Sequence, residues 1–175
     1  AKMLHIIRQD TAVSSRAYTW MEHCDWLPMM LTGNEEPDSF PRNRCAAGHK
    51  AMWHEGWGGF PSSDFLRLLD SRLVDFRERM SDVTITADKP VGYLCQEWAD
   101  KLGLSTSILI GSGALDAHMG AVGAEIKPYY LCKVIGTSTC DMMVIPHAEL
   151  RGKLIKRISG QVDGSIIPGF VGLEA

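Results

Sequence analysis

Apolar positions early in the chain fall at helical intervals. Leu4 and Ile7 predict a short helix over residues 2–8. Ala17, Trp20, Met21, Cys24, Leu27 and Leu31 recur every three or four residues and predict a longer helix, stopped at Gly33. Pro28 lies inside that pattern, and a residue without an N–H should kink the helix or end it early. Residues 34–61 show no period and are rich in Gly, Pro, Trp and His, which predicts loops with short strands. Helical spacing resumes after Pro61, with Ser62 or Ser63 as N-cap and Phe65, Leu66, Leu69, Leu73 and Phe76 on the apolar side, interrupted at Asp70 and Ser71. Residues 83–86 alternate like a strand, and residues 96–102 read as a short helix ended by Gly103.

From residue 105 the pattern changes. Residues 107–110 are continuously apolar after a serine and predict a buried strand. Gly111 and Gly113 follow, then a helix of small residues over 114–124. Two β-rich runs, 129–135 and 140–145, are joined by Gly136, Thr137, Ser138 and Thr139, a hairpin signal with a hydroxyl-rich turn. A further strand is predicted over 154–159, leading to a glycine-flanked segment at 160–164. The chain therefore reads as α/β, with helices and loops over 1–104 and a β-α-β-β order over 105–175.

Composition narrows the function classes. A length of 175 residues allows one domain or parts of two, and 45% apolar with 22% charged residues is ordinary for a globular protein. The net charge of −3 and the lack of a dominant Lys/Arg cluster argue against nucleic acid as a partner. The basic run 151–157 alternates with Leu154 and Ile155, as a solvated strand face does. The nearest candidate for a membrane span, 105–110, is far too short to cross a bilayer. Five scattered cysteines, an odd number without an extracellular spacing, suit reduced thiols in a cytoplasmic protein. Ala1 in place of a start Met, and a C-terminus without a polar tail, lead us to expect an internal piece of a longer protein.

Four segments could carry chemistry. In residues 111–120 a strand ends at glycines and Asp116 opens a helix, where the backbone favours an anionic side chain. Asp116 is a candidate general base, or else a helix cap and nothing more. Gly136, Thr137, Ser138 and Thr139 could offer amide and hydroxyl donors to phosphate oxygens, or form a plain turn. Lys50, two residues after Gly48, could hold an anion or a sugar hydroxyl, or be a surface lysine. Glu174, in a glycine-spaced segment, could contact a polyol or face solvent. A metal reading from His23, Cys24, Cys45, His49 and His54 matches no CxxC or HExxH spacing, so no metal ligands are expected among them.

The order of these segments is more specific than any one of them. Residues 23–33, 44–53, 113–123, 135–143 and 160–165 together resemble the FGGY carbohydrate kinases, and the Ala47-Gly48-His49-Lys50-Ala51-Met52-Trp53 and Gln161-Val162-Asp163-Gly164-Ser165 stretches resemble, within them, the branch acting on L-ribulose. The resemblance implies an actin/hexokinase-like ATPase (ribonuclease H-like) fold in part, with the end of the first domain over 1–104 and the start of the second over 105–175. It implies ATP-dependent phosphorylation of L-ribulose at C5, a step in L-arabinose catabolism. Asp116 would be the general base, Lys50, Asp116 and Glu174 the sugar contacts, and Gly136, Thr137, Ser138 and Thr139 the γ-phosphate cradle. ATP and Mg2+ would be the cofactors, with the metal site and the adenine site largely outside this chain, so that the chain alone should have little kinase activity. A homo-oligomer is compatible with the resemblance, and no membrane partner is expected. A xylulose or ribitol kinase of the same family, a fragment used only for binding, and a zinc-binding module stand as the alternatives.

Overall fold

The computed structural model describes residues 2–150 and 170–174. The chain opens with helices α1 (Lys2–Gln9), α2 (Thr11–Ser14) and α3 (His23–Thr32). Strand β1 (Arg42–Asn43) runs straight into helix α4 (Arg44–Ala51), followed by the helix pair α5 (Ser63–Leu69) and α6 (Arg72–Glu78). Strands β2 (Thr84–Ile85) and β3 (Pro90–Tyr93), helix α7 (Gln96–Leu102) and strand β4 (Leu109–Gly111) lead to helix α8 (Asp116–Gly123). Strands β5 (Leu131–Ile135), β6 (Thr139–Pro146) and β7 (Phe170–Glu174) follow, with short 3-10 turns at Glu55–Trp57 and His147–Leu150. β1 pairs with β2 in parallel, β3 with β4 antiparallel, and β5-β6-β7 form an antiparallel sheet. The β3–β4 pairing joins residues on both sides of position 104.

The helical part is built on a core of Ile7, Leu66, Leu73, Val74 and Phe76, with Met3, Leu4 and Ala17 packed against it. Met3 also reaches a second cluster formed by Ala47, Phe60 and Met80. α1 thus buries its apolar stripe against the α5–α6 pair, whose own stripe follows the 3.6-residue period. Ser62 rather than Ser63 caps α5, its hydroxyl accepting from Phe65 N at 3.3 Å. Asp70 breaks the pair into two helices, binding Arg72 and Arg8. The hydrogen bond from Arg72 holds the Asp70 carboxyl well below the usual carboxylate range.

Four expectations from the sequence pattern need correction. The helix predicted from Ala17 begins only at His23, because Ala17 instead packs against the Ile7 core. Pro28 does not end α3, which continues to Thr32 and closes on Gly33 at φ 69°. The proline withholds only the one amide that would have bonded Cys24 C=O. Within residues 34–61, the segment Arg44–Ala51 is a helix rather than a loop, nucleated by Asn43, whose side chain accepts from Ala46 N at 3.0 Å. Finally, the apolar run predicted as a buried strand is not covered: Leu109 is 56% exposed and Ile108 is exposed too. No helix is long and apolar enough to cross a membrane among the described residues.

Candidate functional site

Asp116 is the first residue of α8, and its exposed carboxylate lies at the helix end where amides point outward. Its Oδ1 accepts from Ala117 N at 2.8 Å. The residue is not the N-cap, a position held by Leu115 without a side-chain bond. The side chain thus bonds a first-turn amide from within the helix, a local bond of the kind a cap makes.

The segment leading into Asp116 is fastened from behind. Ser112 N donates to Lys89 O at 3.0 Å, and Asn43 Nδ2 donates to Ser112 Oγ at 3.2 Å. Asn43 is fully buried and does three jobs: its side-chain oxygen caps α4, its amide nitrogen holds Ser112, and its backbone N–H donates to Asp25 Oδ1 at 2.7 Å. Gly113 fits because it lacks a side chain. A Cβ there would stand 2.0 Å from Cys24 O and 2.8 Å from Cys24 Cβ. That carbonyl is the one whose helical partner Pro28 removes, so the proline in α3 and the glycine before α8 meet at one point.

Asp25 and Arg42, both buried, lie under this seam. Burial pushes the Asp25 carboxyl up to about 6, against the opposing pull of the Asn43 N–H and the Arg42 guanidinium. Burial likewise pushes the Cys24 thiol up to about 12, with Asp25 and Glu22 adding to the rise. A thiol so disfavoured as thiolate is a packing residue rather than a nucleophile.

Lys50 is exposed in the last turn of α4. The residue before it, His49, meets His118 of α8 with the two Nε2 atoms 3.1 Å apart and the rings tilted by 51°. Lys50 and Asp116 therefore extend from two helices that touch, one residue after and two residues before the contact pair.

The hydroxyl-rich turn follows β5, which packs on α8. Gly120 faces Val134, whose methyl groups would stand 3.4 Å from a Cβ at that glycine. From that contact Asp116 is about 6 Å along the helix, and Gly136 is about 7 Å along the strand. Residues 124–130 link the two elements. The turn is tighter than predicted: Ile135 pairs with Thr139, leaving Gly136, Thr137 and Ser138 as its residues. All four predicted donors are exposed, but Gly136 N already donates to Ser138 O at 2.8 Å.

Glu174 ends β7 opposite Met142, so β7 runs toward the turn end of the sheet. The predicted strand over 154–159 and the segment 160–164 lie outside the described residues. A groove of about 400 Å³ lined by Met52, Trp57, Phe60, Pro61, Ser62 and Phe65 opens beyond α4, and no predicted site residue lines it. Sequence reasoning missed Asn43, Ser112 and His118. Asn43 carried a legible signal, an N-cap residue directly before residues 44–51, but the glycine and histidines there obscured the helix.

No family model matches the chain. It is 46% identical over all 175 residues to a ribulokinase of Vibrio parahaemolyticus, and spans 31% of that protein. It is 31% identical over 176 aligned positions to a ribulokinase of Bacillus licheniformis, covering 99% of this chain and 30% of that protein. The chain thus spans about a third of the curated relatives it matches. Among solved structures, a xylulose kinase from Rhodospirillum rubrum aligns with a TM-score of 0.73 at 19% identity, over 99% of this chain and 32% of that one. A gluconate kinase from Lactobacillus acidophilus aligns with a TM-score of 0.69 at 16% identity, over 99% and 32% of the two chains. The fold is therefore part of the actin/hexokinase-like ATPase fold of sugar kinases, as the resemblance implied.

Proposed function

We propose, for a chain that belongs with the ribulokinases among the FGGY carbohydrate kinases, that it forms the sugar-facing centre of an enzyme phosphorylating L-ribulose with ATP. The observation that carries this reading is the 46% identity across all 175 residues. The likeness to xylulose and gluconate kinases is below 20% identical, bears on the fold alone, and leaves the choice of sugar to that identity.

Asp116 accepts the proton of the C5 hydroxyl as that oxygen attacks the γ-phosphorus of ATP. L-Ribulose 5-phosphate forms and ADP leaves. Phosphoryl transfer depends mainly on alignment and on donors placed where charge spreads over the transferring group. The fastening of Ser112 and Gly113 serves the first need, because it fixes the start of α8 before any ligand arrives. Thr137, Ser138 and Thr139 serve the second with exposed hydroxyls, and the Gly136 amide can join them only by giving up its bond to Ser138. Lys50 and Glu174 orient the sugar. The domain division falls near residue 104, with Lys50 and Asp116 on opposite sides of it.

Mg2+ requires an octahedral shell of oxygen atoms. The one group of three metal-capable side chains among the described residues is Cys45, His49 and His118, which offers sulfur and nitrogen. These residues do not fit Mg2+.

In a full-length enzyme carrying this segment, Asp116→Asn should lower kcat by about 10²–10⁴ with an unchanged unfolding midpoint. Near-normal turnover would remove Asp116 from the mechanism. Assaying L-ribulose, xylulose and ribitol side by side tests the sugar, and a preference for either of the latter two would overturn that assignment. The 175-residue chain alone should release no ADP in response to L-ribulose.

A further inference from the structure

Three side chains with soft or borderline donors converge where α4 meets α8. Cys45 and His49 are four residues apart and share one face of α4. His118 reaches them from the first turns of α8. The donor atoms Cys45 Sγ and one nitrogen of each imidazole all lie within 4.8 Å of one another. Cys45 is fully buried and His118 nearly so, while His49 is half-buried and leaves an approach from solvent.

We propose that Cys45, His49 and His118 form a binding site for a single divalent transition-metal ion of borderline softness, zinc foremost, with water as the fourth ligand. The site stands independently of the kinase reading. One sulfur and two imidazole nitrogens select against Mg2+ and Ca2+, which take oxygen, and suit Zn2+, whose three-ligand sites keep an open position. Bonds of about 2.3 Å to sulfur and about 2.0–2.1 Å to nitrogen set tetrahedral donors about 3.3–3.6 Å apart. The two histidine Nε2 atoms, at 3.1 Å, already stand near that spacing, and the sulfur closes the remainder by a small side-chain movement. Binding replaces the imidazole–imidazole contact: both rings carry their protons on Nδ1 and present Nε2 lone pairs to the metal. Cys45 binds as thiolate and gives its proton to solvent. The ion would pin the end of α4 to the start of α8, one residue from Lys50 and two from Asp116.

The test is metal titration of the reduced 175-residue chain after chelator treatment, with Zn2+ read by competition against a chromophoric chelator and Co2+ read by absorption. One equivalent of Zn2+ should bind and raise the unfolding midpoint, and Mg2+ should do neither. Co2+ should give a thiolate-to-metal charge-transfer band and a tetrahedral visible spectrum. His49→Gln and His118→Gln should abolish stoichiometric binding, Cys45→Ser should remove the charge-transfer band, and Cys132→Ser should change nothing. The Co2+ spectrum of the unsubstituted chain does not depend on any variant folding. Absence of stoichiometric binding, a Co2+ complex without the thiolate band, or binding unaffected by His118→Gln would each overturn the proposal.

Discussion

The start of α8 and the turn between β5 and β6 hold the two halves of the proposed chemistry, and they are supported in opposite ways. Behind Asp116, buried Asn43 ties together β1, α4 and Ser112, and Gly113 presses on the Cys24 carbonyl with no room for a methyl group. Around Thr137, every turn residue is exposed and the backbone is closed by the Gly136–Ser138 bond and the hairpin pairing. A base must be in position before its substrate arrives, because reorganisation at the moment of reaction costs rate. A phosphate cradle can take its final shape around the phosphate itself. The molecule thus invests its buried polar bonds at one feature and leaves the other adaptable. Substitutions should separate the two: those behind Asp116 read out in stability, those in the turn only in nucleotide handling.

The largest loss of stability should come from Asn43→Ala. It removes the cap of α4 and strips Ser112 Oγ of its donor in a part-buried setting, for a cost of about 2–4 kcal/mol. Urea unfolding of the chain measures it. A cost below about 1 kcal/mol would mean that the seam does not carry the junction. Gly113→Ala comes next. Its new methyl group would meet the Cys24 carbonyl backbone, which cannot swing aside as a side-chain tip could, so about 1–3 kcal/mol is expected. A neutral outcome would show that α3 and the α8 loop are free to separate.

How much of this contrast was legible beforehand depends on the scale of the signal. The α5–α6 stripe was readable because Leu66, Leu73 and Phe76 obey one local period, and the hairpin because Gly136 sits between two β-rich runs. Asp116 was recognisable from its glycines and its place at a helix start. The seam was not, since it joins residues far apart in sequence: Cys24 to Gly113, Asn43 to Ser112, His49 to His118. No local pattern records such pairs. The same limit explains the exposed Leu109 and the 74% exposed Ile135: an apolar run states that a surface wants cover, not that these residues supply it. Pro28 misled for another reason. Its cost in a helix depends on where the freed carbonyl goes, and here it faces the backbone of Gly113.

A smaller effect of pH distinguishes the buried seam from the surface. The folded-state carboxyl of Asp25 is raised to about 6 from 3.8, so the native chain holds that proton more tightly than the unfolded one. Its contribution is present below about pH 4 and is lost as pH rises through about 6, a change on the order of 2–3 kcal/mol at most. Asp70 acts in the opposite sense, its depressed carboxyl favouring the fold above the unfolded value and losing that contribution at more acid pH. Urea midpoints taken across this range should fall between pH 4 and 6 for the parent and flatten in Asp25→Asn. Flattening, rather than the absolute midpoint, is the readout because replacing a buried carboxyl by an amide also changes its hydrogen bond with Asn43 N at every pH. An unchanged slope in the variant would remove Asp25 from the account.

The smallest effect on the fold should come from Thr137→Ala. The side chain is exposed, and the bond that closes the turn runs between the backbones of Gly136 and Ser138, so stability should change by no more than about 0.5 kcal/mol. The effect on chemistry should nevertheless be large. Losing one donor to the transferring group typically costs about 10²–10³ in rate, and the loss should fall on the ATP-dependent step in a full-length enzyme carrying this segment. Calorimetry separates the two ligands: nucleotide affinity should weaken while L-ribulose affinity stays at the parent value. The reverse result, weakened sugar binding with nucleotide binding intact, would place the turn on the sugar side. The contrast between a fastened base and an adaptable phosphate cradle would then lose its second half.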